Sequence, residues 1–183
     1  MTKKGVADNE TNAVVEAIKS IKGRDPRLKK MIVNGKNKII EYYNNIYNEN
    51  GRLGKNCDNW HLTEKMVKQH IINQYVSKGD AVLEIGAGTG IHSIFLSKKG
   101  CNVSACDIVP NHVKLIEENA RANNVQIYAS VQDALKLNYE NGVFDLVLLS
   151  GTVCHMHSYN DKEQAIRAAN RVCKKNGIII IDF

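Results

Sequence analysis

The chain is poor in several things, and each scarcity narrows its class. No stretch approaches the ~18 consecutive apolar residues of a membrane-spanning helix, and the opening "MTKKGVADNE" sets its lysines in front of no apolar segment. No membrane partner or secretory route is therefore expected, and the expected compartment is the cytoplasm. The five cysteines, Cys57, Cys101, Cys106, Cys154 and Cys173, include no Cys-x-x-Cys pair and no histidine at knuckle spacing. They support neither a disulfide framework nor a metal site and read as reduced, buried thiols. Charge of one sign is also scarce over most of the chain. Residues 1–36 hold nine Lys/Arg against four Asp/Glu, whereas residues 37–183 hold sixteen against fifteen, so the net charge of +6 lies almost wholly in the N-terminal segment. A basic segment of this kind reads first as a solvated extension and second as a contact for RNA or an acidic partner.

What is present is enough apolar material for one core: 43% of 183 residues. We divide the chain into a basic extension, 1–36, and one domain, 37–183. Val14, Ala17, Ile18 and Ile21 recur at helical period, as do Ile39, Ile40, Tyr43, Ile46 and Tyr47, which predicts helices near 11–22 and 36–48. Thr63 is the expected N-cap of a third helix with Met66, Val67, Ile71 and Ile72 behind it.

From Asp80 onward, short apolar runs alternate with amphipathic stretches. "AVLEIG", "NVSACD", "VQIYASV", "FDLVLLSG" and "IIIID" read as strands; "GIHSIFLSKKG" and "PNHVKLIEENARANN" read as helices. A last helix over "DKEQAIRAANRVCKK" is expected to be capped by Asn160 with Glu163 and to end at Lys175, where "NG" turns the chain into the fifth strand. This alternation predicts an α/β fold, a parallel sheet with helices on both faces. The unbroken apolar character of "DLVLLS" and "IIIID" fits strands covered on both sides.

The informative stretch is "VLEIGAGTGIHSIFL", residues 82–96. Gly86, Gly88 and Gly90 fall between a strand and a helix, at the carboxyl end of the strand, where open parallel sheets bind ligands. Glycines there allow close backbone approach, and the following helix start offers unpaired N–H groups. The spacing is GxGxG rather than the GxGxxG that seats a pyrophosphate, and Glu84 stands two residues before the first glycine. A carboxylate there opposes a pyrophosphate and suits an ammonium group, which points away from a nicotinamide cofactor.

"LEIGAGTG" resembles motif I of the class I S-adenosylmethionine-dependent methyltransferases. The resemblance implies a Rossmann-like sheet of order 3-2-1-4-5, S-adenosylmethionine as cofactor, and methyl transfer to an oxygen or nitrogen of an acceptor. It also implies cofactor contacts. Gly86, Ala87, Gly88 and Gly90 would line the amino acid part, with Glu84 behind them; Asp107, followed by Ile108, would grip the ribose hydroxyls; Asp133, followed by Ala134, would meet the adenine amino group; Ser150 would lie at the end of strand four.

"FDLVLLSGTVCHMHSYNDKEQAIRAANRVCKKNGIIIIDF" resembles the segment after strand four in small-molecule and quinone-biosynthesis-like bacterial members. Gly151 and His155 match that pattern, whereas Thr152, Val153, Cys154 and Asn176 depart from it. "EYYNNIYNENGRL" is similar to their N-terminal helix and arginine loop. His155 is then the candidate general base, and Tyr43, Tyr47 and Arg52 are candidates for the acceptor side. Having only Pro26 and Pro110, the chain has no "NPPY"-like loop and no Pro-Cys pair, which disfavours adenine or glutamine amino-group methylation and cytosine C5 methylation by those motifs. A small molecule is the expected acceptor, with RNA as the alternative through residues 1–36 and a cofactor-binding fragment without turnover as the other. Such families carry two further strands after the fifth, strands six and seven, which are missing here; the domain is expected to be C-terminally incomplete and to self-associate through its open sheet edge.

Overall fold

The computed structural model describes residues 40–41, 43, 59–156 and 158–182. The predicted helix over 11–22 lies outside the described residues, as do most of the one over 36–48, Tyr47 and Arg52. Ile40, Glu41 and Tyr43 are helical.

The element order is α1 (Asn59–Asn73), β1 (Ala81–Ile85), α2 (Ile91–Lys98), β2 (Asn102–Asp107), α3 (Pro110–Ala122), β3 (Ile127–Val131), β4 (Phe144–Leu149), a 3₁₀ turn (Val153–His155), α4 (Tyr159–Val172) and β5 (Cys173–Ile181). The strands form one sheet in the order β3-β2-β1-β4-β5, and all four pairings are parallel. The predicted Rossmann-like arrangement is the observed one.

Strand alternation sorts the core. Val82, Val103, Leu146 and Leu148 pack with Ile72 of α1 and Leu96 of α2 on one face. Leu83, Ile85, Val147 and Leu149 pack with Ala165, Ala169 and Val172 of α4 on the other. The small α4 residues let that helix lie close to the strands. Glu84 shares the face of Val82, so its carboxylate is forced into the layer beneath α2, where Ser93 Oγ donates to it at 2.5 Å. Among the described residues no helix is long and apolar enough to cross a membrane.

Three helix boundaries differ from expectation. α1 begins four residues before Thr63, at Asn59. α4 begins at Tyr159 because Ser158, not Asn160, is the N-cap: its hydroxyl accepts from Asp161 N at 2.9 Å. Glu163 faces outward and pairs with Arg167 at 2.6 Å. α4 also stops at Val172 rather than Lys175, where Cys173 turns extended (φ −75, ψ 140).

The early stop comes from an irregularity between β4 and β5. Phe144 is level with Cys173, yet Leu146 is level with Ile178, so the residues between are gathered into a bulge. It closes tightly on Gly177, where a Cβ would stand 2.6 Å from Cys173 Sγ and 2.8 Å from Asp145 O. Lys174 Nζ reaches Asp145 Oδ1 at 2.8 Å, and this hydrogen bond holds the Asp145 carboxyl below its usual range.

Candidate functional site

The carboxyl ends of β1, β2 and β4 meet at the glycine turn. Gly86 N and Ala87 N both donate to Cys106 O, at 2.8 and 3.1 Å, which bends the chain sharply out of β1 and across β2. Gly86 has a φ of +73, and a Cβ added to it would lie 2.0 Å from Thr152 Oγ1. That hydroxyl lies 2.9 Å from Ile85 O and 3.1 Å from Ser150 O. The first glycine is therefore required by the β4 loop as much as by any ligand. At Gly90 (φ +81) the neighbour is Ile116, 3.2 Å from an added Cβ, so that glycine lets α3 close over the start of α2.

Asp107, at the end of β2, is aimed at this turn by the backbone. Its Oδ2 accepts from Gly88 N at 2.9 Å and its Oδ1 from Val109 N at 2.9 Å. His112, in the first turn of α3, brings its Nδ1 to 3.3 Å from Oδ2. Ile108 follows, half-buried. Asp133 stands just past β3; its Oδ1 accepts from Leu135 N at 3.0 Å, and its carbonyl accepts from Lys136 N at 2.9 Å. Ala134 beside it is buried in the main core. Glu84, 1% exposed, sits under the turn against Ser93 rather than at its surface.

Ser150 N donates to Ile85 O at 3.2 Å, continuing the β1–β4 pairing one residue past the strand. Beyond it the 3₁₀ turn presents His155, whose Nε2 is 2.8 Å from Tyr43 Oη. The Tyr43 ring stands edge-on between two imidazoles, with centroids 5.5 Å from His155 and 5.6 Å from His112. Tyr43 thus spans the mouth from the β2 side to the β4 side. His155 and Tyr43, chosen separately in the sequence, are brought together; His112, Thr152 and Asp182 were not anticipated. The one local signal for His112 was its place in the first turn after the Asp107 strand.

The described cysteines near this mouth are not activated thiols. Burial, and secondarily Asp107, pushes the Cys106 thiol up to about 12, and burial also raises Cys154. Both remain protonated at neutral pH, as packing residues do. Among the described residues no group of three or more His, Cys, Asp or Glu is placed to hold a metal ion.

The mouth fits S-adenosylmethionine on its own terms. A buried carboxylate held by backbone donors at the end of β2 and a second carboxylate just past β3 are the acceptor groups that a ribose diol and an adenine amine would call for.

A protein-family model described as a methyltransferase domain matches residues 83–181. The chain is 35% identical over 104 residues to a glycine/sarcosine N-methyltransferase of Parasynechococcus marenigrum, which covers 56% of this chain and 37% of that one. It is 30% identical over 122 residues to a ribosomal protein L11 methyltransferase of Thermotoga petrophila, covering 66% of this chain and 43% of that one. It thus spans less than half the length of these two curated relatives. A crystal structure of a Pyrococcus horikoshii protein superimposes with a TM-score of 0.67 at 23% identity, over 77% of this chain and 64% of that chain, which shows the fold alone. The chain belongs to the class I S-adenosylmethionine-dependent methyltransferases.

Proposed function

We propose that this methyltransferase-family chain transfers a methyl group from S-adenosylmethionine to an oxygen or nitrogen of a small-molecule acceptor, with His155 as general base. The observation that carries the reading is the pairing of His155 with Tyr43 at 2.8 Å across the same mouth that Asp107 and Asp133 flank. Gly86, Ala87, Gly88 and Gly90, with Ser150 and the buried Glu84, would hold the amino acid part; Asp107 with Ile108 would hold the ribose, and Asp133 with Ala134 the adenine.

The bound cofactor supplies an already activated methyl carbon, so the chain's task is to orient the acceptor and to remove its proton. The His155 imidazole is assigned to that proton, its Nε2 lone pair becoming available once an incoming acceptor displaces the Tyr43 hydroxyl that engages it in the structure. The Tyr43 hydroxyl fixes the imidazole until the acceptor takes its place. Tyr47 and Arg52 are carried forward as acceptor-side residues on their resemblance to the N-terminal arginine loop of related enzymes.

The test is calorimetry with S-adenosylhomocysteine, followed by a methyl-release assay against small amines and hydroxylated aromatics. Binding that His155→Gln leaves intact while turnover falls supports the reading. A chain that binds NADH and not S-adenosylhomocysteine overturns it. A second reading, methylation of RNA, is favoured by the basic surplus of residues 1–36; it requires RNA binding that persists at moderate salt and disappears when that segment is removed.

A further inference from the structure

The segment that carries His155 is held from outside the two strands it leaves, and we infer that Asp182 is the positioning residue which sets its direction. This rests on the methyl-transfer reading, in which His155 faces the acceptor. After β4 the chain passes through Ser150 and Gly151, the latter at φ +59, and enters the 3₁₀ turn at Thr152. Asp182 follows β5 directly, and its backbone N–H donates to Leu149 O at 3.3 Å, extending the β4–β5 pairing.

Its carboxylate then reaches sideways onto the turn. Oδ1 accepts from the Gly151 N–H, and Oδ2 accepts from Ser150 Oγ at 3.2 Å. From the opposite side Lys68 of α1 places its Nζ 2.8 Å from the same Oδ2, while also lying 3.0 Å from Glu64.

The glycine that Asp182 fixes is also held at its carbonyl, while Thr152 beside it is tied to Ile85 O and Ser150 O. Cys154 Sγ donates to Gly151 O at 2.9 Å, and His155 N donates to Thr152 O at 3.2 Å. Gly151 is thus clamped at both its N–H and its carbonyl at the point where the chain turns toward His155.

Lys68 supplies the counter-charge for this carboxylate, whose side chain is only 26% exposed. His92 faces the same group of charges, and its buried Nδ1 has no hydrogen-bond partner among the described residues. It stays neutral, so Lys68 carries the compensation. The consequence is that the acceptor-side imidazole is oriented through a carboxylate anchored on β5 and α1 rather than on its own turn.

The test reads the His155 imidazole in the full chain, labelled with 15N-histidine and assigned by comparison with His155→Gln. Asp182→Ala is expected to displace the His155 ring resonances and move their titration midpoint. Asp182→Asn, whose amide oxygen still accepts from Gly151, is expected to restore the resonances. A His155 signal that Asp182→Ala leaves in place, or an Asn variant displaced as far as the Ala variant, overturns the inference. Should Asp182→Ala fail to fold, Lys68→Met is expected to shift the signal in the same direction by less, and an unmoved signal overturns it. Failure of the parent chain to bind S-adenosylhomocysteine overturns the methyltransferase reading instead, independently of how the imidazole responds.

Discussion

The two halves of the mouth are built by different means. On the β1–β3 side, positions are set by the backbone: Cys106 O receives two consecutive N–H groups, and Asp107 receives two more. On the β4–β5 side they are set by side chains arriving from distant parts of the chain, Tyr43, Lys68 and Asp182. Backbone donors lose no rotamer freedom when they bind, whereas long side chains do. On the proposed reading the first side, held by the backbone, would take the invariant cofactor, and the second would be where a different acceptor is accommodated by changing side chains.

The sharpest break of that contrast is at the one residue both halves share. Gly86→Ala forces a Cβ onto Thr152 Oγ1 at a left-handed φ, and is expected to cost about 3 kcal/mol in denaturant unfolding. Adding Thr152→Ala should recover part of that loss; no recovery would mean that backbone strain alone dominates.

A second break uses acid. Burial, then Lys68, pushes His92 down from 6.5 to about 4. A folded value below the unfolded one means that its contribution is fully present above pH 6.5 and is lost as pH falls toward 4. The loss is on the order of 3 kcal/mol. His92→Phe should flatten the unfolding curve across that window, and an unchanged acid limb would reject the assignment.

On the backbone-built side, Asp107→Ala is expected to weaken S-adenosylhomocysteine binding by about 1–3 kcal/mol in calorimetry, through the loss of charge-assisted hydrogen bonds. On the other side, Tyr43→Phe should leave that affinity nearly intact and lower turnover by about fivefold, the worth of one hydrogen bond near 1 kcal/mol. Equal effects of both variants on cofactor affinity would erase the distinction between the halves.

Smallest of all, Lys68→Met should cost about 0.5 kcal/mol of stability. Burial lowers the Lys68 value, but Asp182 and Glu64 outweigh it, leaving the ammonium above 10.5. The contribution should hold below pH 10.5 and vanish as the pH rises through the higher folded value.

The same division explains what could be read in the sequence. The strands, the glycine turn and the positions of the carboxylates at 84, 107 and 133 were legible because each depends on local spacing, a strand, a turn, a strand end, whereas the sheet order β3-β2-β1-β4-β5 followed only from the family resemblance. The clamp on His155 was not, because Lys68, Gly151 and Asp182 meet only after the sheet has brought β4 and β5 side by side. The end of α4 was misjudged for a related reason. "VCKKNG" continues a helical pattern, and only the packing of Gly177 against Cys173 and Asp145 O shows that the strand must begin earlier.

β1 is paired on one flank with β2 and on the other with β4, Val82 lying level with both Val103 and Leu146. A nascent chain reaches residue 103 long before residue 146, so on the ribosome the central strand waits with one edge unsatisfied while the whole α3 and β3 portion is synthesised. Thr152, which locks the glycine turn, arrives later still. Synthesis at ~5–20 residues per second makes that wait last seconds, during which the exposed edge of "AVLEI" is the point at which a holding chaperone would protect the chain and an aggregating neighbour would capture it.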